Sequence, residues 1–153
     1  MAKSDFLKYY RVIKKFFMVK HKLSDTKIDI LLFLYSEKYW DLEKYEEYNS
    51  LLSWDYARMK NLLRDDWIRV FRKGVKFKSR TIYCMSPKAI NMIESLYKKI
   101  EGEEIPETAT ENRMFHKKVP YTHNRYKKMI STMNSLNRKA RLEKLTNLDG
   151  VFD

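Results

Sequence analysis

Between Leu63 and Lys88 the chain passes from helix to hairpin and back to helix, and this order constrains the fold more than any other feature. Leu63-Arg64-Asp65-Asp66 closes an amphipathic helical pattern. Trp67-Ile68-Arg69-Val70-Phe71 and Arg80-Thr81-Ile82-Tyr83-Cys84-Met85 are short, rich in aromatic and branched residues, and separated by Arg72–Ser79 with a turn-forming Gly74. Two such runs should pair as an antiparallel hairpin. Ser86-Pro87 then opens a helix, because proline at the first helical position lacks only an N–H that would be unpaired anyway.

The rest of the pattern is helical. Only three Gly and three Pro among 153 residues, with 44% hydrophobic and 14% aromatic side chains, favour a mostly α chain with one real core. Residues 4 to 21 set Phe6, Tyr9, Tyr10, Ile13, Phe16 and Phe17 at helical spacing. Ser24 offers an N-cap to an apolar helix from Ile28 to Tyr35, the expected centre of the core. Leu42, Tyr45, Tyr48, Leu51 and Leu52 continue the period, and Ser53 is the expected cap of a helix turning Tyr56, Met59 and Leu63 inward. Trp40 and Trp67 are assigned to the core, and Trp54 to packing rather than to stacking on a base.

Charge is uneven. The chain carries 32 Lys and Arg against 20 Asp and Glu, a net charge of +12, which favours a polyanionic partner. Residues 101–112 are acidic, polar and broken by Gly102 and Pro106, and read as a linker. Beyond it, residues 113–144 hold ten Lys or Arg against Glu143 alone. Tyr126, Met129, Ile130, Met133 and Leu136 recur there at three- and four-residue steps, so the basic extension of residues 113–153 should contain an amphipathic helix. Its apolar face is expected to serve assembly, with Lys127, Lys128, Arg138, Lys139 and Arg141 facing a polyanion.

Residues 4–100 resemble the MarR-type (multiple-antibiotic-resistance regulator) winged helix-turn-helix family. The resemblance lies in a long first helix, an apolar second helix opening at Leu23-Ser24, Tyr56-Ala57-Arg58-Met59, Leu63 to Ile68, and the junction Met85-Ser86-Pro87-Lys88-Ala89. Asp66 stands where the family commonly has glycine, and Asp tolerates a left-handed backbone better than most residues. The resemblance implies a homodimer, assembled through the first and C-terminal helices, that binds double-stranded DNA and regulates transcription. It implies Arg58, Lys60, Asn61 and Arg64 at the groove and Arg72, Lys73, Lys76, Lys78 and Arg80 of the wing at phosphates or the minor groove. The recognition region nonetheless carries no net positive charge, since Asp55, Asp65 and Asp66 offset Arg58, Lys60 and Arg64. An adaptor or structural protein, such as a phage virion or nucleoprotein component docking through its basic tail, is the alternative.

No catalytic pattern is present. With three glycines a phosphate-cradling loop is close to excluded, and no nucleophile elbow or paired-histidine helix occurs, so neither an enzyme nor a cofactor is expected. His21, His116 and His123 are too scattered for a metal, and the lone Cys84 should be a buried inert thiol. No segment has membrane-spanning character and no apolar leader precedes the first helix, so a cytoplasmic or virion-associated location is expected.

Overall fold

The computed structural model describes residues 6–52 and 55–150. It is mostly helical, 65% helix in six α-helices, with a small three-stranded antiparallel sheet. In chain order the elements are α1 (Phe6–His21), α2 (Asp25–Tyr35), β1 (Tyr39–Trp40), α3 (Leu42–Leu52), α4 (Tyr56–Arg64), β2 (Ile68–Arg72), β3 (Ile82–Met85), α5 (Pro87–Ile100) and α6 (Tyr121–Asp149). A short 3-10 turn at Arg113–Phe115 precedes α6. These elements form two units, Ser24–Glu94 on one side and Met1–Leu23 with Ser95–Asp153 on the other. The N-terminal helix therefore groups with the C-terminal segment, whereas the sequence pattern places residues 4–100 in one domain.

In the unit Ser24–Glu94, local chemistry sets each boundary. The Ser24 hydroxyl accepts the Lys27 N–H at 3.3 Å, and Asp41 does the same for Lys44 at 2.9 Å. Asp55 caps α4, accepting the Arg58 N–H at 2.8 Å; the expected cap Ser53 and Trp54 lie outside the described residues. Asp66 takes φ 59°, so the chain closes α4 with Asp66 N–H on Leu63 O at 3.2 Å and Trp67 N–H on Leu62 O at 2.9 Å. Leu62 and Trp67, the two side chains this turn brings together, are both buried.

The sheet order is β1-β3-β2, and β1 is the strand that sequence period does not reveal. It has two residues, paired to β3 as Tyr39 with Cys84 and Trp40 with Tyr83. Cys84 is half-buried rather than fully buried. On the other side Ile68 pairs with Met85 and Arg69 with Cys84, and the register slips between Val70 and Arg72. Such an irregularity twists the hairpin locally. Ile28, Ile30, Leu31, Leu34, Tyr45, Met59, Leu62, Ile68 and Ile93 are fully buried, as are Trp40 and Trp67 nearly so.

In the other unit, α1 packs against α6 and both meet the 3-10 turn. Tyr9, Val12, Ile13, Phe16 and Phe17 of α1 are buried, as are Ile130, Met133, Asn134 and Asn137 of α6. Gly102 at φ 113° ends α5, with Glu103 N–H on Lys98 O at 3.0 Å. Residues 101–112 then run along α6 as a strap, which corrects the expectation of a flexible linker. Asn134 clamps the buried Ile105 from both sides, accepting its N–H at 3.1 Å and donating to its carbonyl at 2.8 Å. Arg138 is ion-paired to Glu104 and, at 3.4 Å, to Glu107, and Arg141 reaches Glu104 at 3.5 Å. Acidic strap and basic helix neutralise one another, so Arg138 and Arg141, though exposed, are already paired to carboxylates.

Candidate nucleic-acid interface

The β2–β3 hairpin projects beyond its paired residues as a loop built by side-chain hydrogen bonds. Gly74 N–H donates to Thr81 Oγ1 at 3.1 Å and Val75 N–H to Ser79 Oγ at 3.0 Å, while the Lys78 and Ser79 amides close onto Val75 O at 2.9 and 3.0 Å. Gly74 is required there: a Cβ would lie 2.5 Å from the Ser79 carbonyl and the Thr81 nitrogen. Phe77, at φ 64° and 97% exposed, occupies the tip with Lys76 Nζ 5.3 Å from its ring centre. Sequence period gives no signal for this exposed aromatic, because it belongs to neither strand face.

The five cations expected on the wing, together with Arg69 on β2, fall into two groups. Arg69 is held by Asp66 at 2.7 and 2.9 Å, and Arg80 is drawn back to α3 by Asp41 at 3.3 Å and by Glu43. The Lys44 N–H and then Arg80 keep the Asp41 carboxyl below its ordinary pKa against the opposing effect of burial. Arg72, Lys73, Lys76 and Lys78 are exposed, and among the described residues none of them has an ion-pair partner. The free charge of the hairpin therefore lies at its far end.

On α4 the expected groove residues are divided in the same way. Arg58 is half-buried and its Nη1 lies 2.6 Å from Asp55, the residue that caps the helix. Arg64 pairs with Asp65 at 3.1 Å, which lowers the Asp65 pKa through that hydrogen bond. Lys60 is exposed with its Nζ 4.9 Å from the Tyr56 ring centre, and Asn61 is half-buried and, among the described residues, makes no side-chain hydrogen bond. α4 packs against β2, and the Tyr83 phenol on β3 has its pKa raised by burial and then by Tyr56. The buried Tyr45 hydroxyl donates to Asp55 O at 2.7 Å, and burial followed by the Asp55 charge pushes its pKa up to about 12.

The residues expected to form an assembly face on α6 are largely used within the chain. Ile130 and Met133 are fully buried, Tyr126 and Met129 are half-buried, and only Leu136 remains exposed, which corrects the reading of this stripe as a free surface. Exposed leucines lie further along, at Leu142, Leu145 and Leu148. Among the described residues no three His, Cys, Asp or Glu side chains converge to hold a metal ion, and no helix is long and apolar enough to cross a membrane. Comparison with known protein families, with curated proteins and with solved structures gives no match to this chain.

Proposed function

We propose that the chain is a winged-helix protein that binds double-stranded DNA, with the β2–β3 hairpin as its wing and α4 presented beside it, and that it acts as a homodimeric transcriptional regulator. The observation that carries the reading is the set of four exposed, unpaired cations at the hairpin end, Arg72, Lys73, Lys76 and Lys78. The order α2-β1-α3-α4-β2-β3 with sheet order β1-β3-β2 supports it, because it is the layout of a winged helix-turn-helix. The wing supplies phosphate contacts and α4 supplies whatever base reading there is. A second reading, an adaptor docking through its C-terminal helix, draws on the exposed Leu142, Leu145 and Leu148.

Fluorescence anisotropy of the full chain on duplex DNA across a salt series tests the proposal. Each phosphate contact contributes about 0.9 to the log–log salt slope, so a wing using its free cations gives a slope of about 3 to 4. Replacing Lys73, Lys76 and Lys78 together by Ala should lower that slope by about 2 to 3, while Arg80→Ala should change it by less than about 1. A slope unchanged in the triple variant removes the wing from the interface. A sharp preference for one operator supports regulation, and none supports the adaptor reading.

A further inference from the structure

The unit made of Met1–Leu23 and Ser95–Asp153 contains a cleft of its own between α1 and the start of α6, with a volume of about 560 Å³. That volume is in the range of small-molecule sites, about 300 to 1,000 Å³. Lys8 and Arg11 reach it from α1 and Arg125 from α6, and among the described residues no acid lines it. Elsewhere on α6 the arginines are neutralised by the acidic strap, as Arg138 and Arg141 are by Glu104. Arg11 and Arg125 differ: both are exposed, and among the described residues neither has an ion-pair partner.

One further feature adds to the positive potential. Pro120 precedes α6 and gives its first turn no side-chain cap, so the positive end of the dipole of a 29-residue helix lies at the lining residues Tyr121 and Thr122. The walls are nevertheless not those of a simple anion site. Tyr121, 74% exposed, and Tyr126 present phenol rings, and Val12 and Met129 line the same space.

An inorganic anion would leave the rings unused, and an apolar molecule would desolvate the guanidinium groups without compensation. The ligand that uses both has a flat π system joined to a phosphate. We infer that the cleft is a nucleotide site, with the phosphate held by Arg11, Arg125 and the Thr122 hydroxyl and the base stacked on the tyrosines. This site is independent of the duplex-binding wing. The same chemistry is offered by a free mononucleotide and by a nucleotide of a single strand, whose unstacked bases reach such rings.

Isothermal titration calorimetry of the full chain with adenosine 5′-monophosphate, adenosine, inorganic phosphate and a single-stranded oligo(dA) octamer decides the matter. The monophosphate or the octamer should bind more tightly than adenosine and phosphate alone. Tyr121→Ala should weaken that binding by about 5- to 150-fold, and Arg125→Ala or Arg11→Ala by about tenfold or more. Tyr121→Phe should retain it, and circular dichroism should report an unchanged fold, since Tyr121, Arg11 and Arg125 are exposed. Tighter binding of the octamer than of the monophosphate identifies a strand as the source, and the reverse order a free nucleotide. The wing triple variant should bind both as the parent chain does, even if duplex binding fails altogether. Binding of inorganic phosphate as tight as of the monophosphate, no binding of either nucleotide form, or equal binding in the arginine variants would overturn the assignment.

Discussion

Replacing Asn134 by Ala tests whether residues 101–112 belong to the folded unit. Asn134 is 1% exposed, and its amide satisfies both the N–H and the carbonyl of the buried Ile105 while donating to Glu107 at 3.1 Å. Alanine strands two buried backbone groups at a cost of about 1–3 kcal/mol each, and water admitted from the half-exposed Glu107 side recovers part of it. The expected loss is about 2–4 kcal/mol, which at a urea slope of about 2 kcal/mol per molar moves the midpoint down by about 1–2 M. Asn134→Asp should be at least as costly at neutral pH, because a carboxylate cannot donate to the Ile105 carbonyl and faces Glu107. Hydrogen exchange gives the local reading: the Ile105 amide should be protected in the parent chain and exchange at loop rates in Asn134→Ala. A change in stability under about 0.5 kcal/mol, with Ile105 exchanging freely in the parent, would refute the strap and restore a flexible linker.

Three further outcomes are expected. Asp55→Ala should lower stability by about 1 kcal/mol in chemical denaturation through loss of the α4 cap, and it frees Arg58. Acidification should loosen the strap: hydrogen bonds from Ser131 and Asn134 depress the Glu107 carboxyl, and Lys99 depresses Glu103, below the ordinary 4.5. A depressed carboxyl stabilises the fold fully above its unfolded value and loses that contribution as pH falls through its folded one. Strap amides should therefore keep their protection at pH 6 and lose it below pH of about 4, as read by hydrogen exchange. Truncation after Ala140 should leave the melting temperature near that of the full chain, since residues 141–150 are all exposed, whereas truncation after Glu101 removes Ile130, Met133 and Asn134 from the core around α1 and should unfold that unit.

Much of the fold was legible because local rules set it. Ser24, Asp66 and Ser86-Pro87 mark boundaries through cap and turn chemistry that acts over three or four residues, and they do so in the structure as the pattern implies. Strand β1 was hidden because two residues cannot display a period, and their pairing to β3 is set across more than forty positions. Residues 101–112 misled for a related reason. Composition marks them as soluble and broken, but their acids and the polar Asn134 find one another across about thirty positions, and a polar residue on a helix face gives no apolar signal. At the candidate interface, residue type identified the basic hairpin, while pairing decided which cations remain available; Arg80 returns to α3 through Asp41 and Glu43, contacts no spacing rule anticipates.

That division of charge bears on how the proposed DNA-binding reading would work. Arg58 and Arg64 on α4 already face carboxylates, so engaging a base or phosphate exchanges one partner for another rather than adding one. Exposed pairs of this kind are worth about 0–1 kcal/mol, so the exchange is permitted yet contributes little affinity. Among the described residues Arg72, Lys73, Lys76 and Lys78 at the hairpin end have no such partner, and on this reading each releases counterions on contact with the duplex. Affinity on this reading is thus concentrated at the wing and largely blind to sequence. Discrimination between sites falls to Lys60 and Asn61, the α4 polar side chains without an ion pair, and to the deformability of the DNA itself. Strong operator preference in a chain lacking both side chains would place the reading element outside α4.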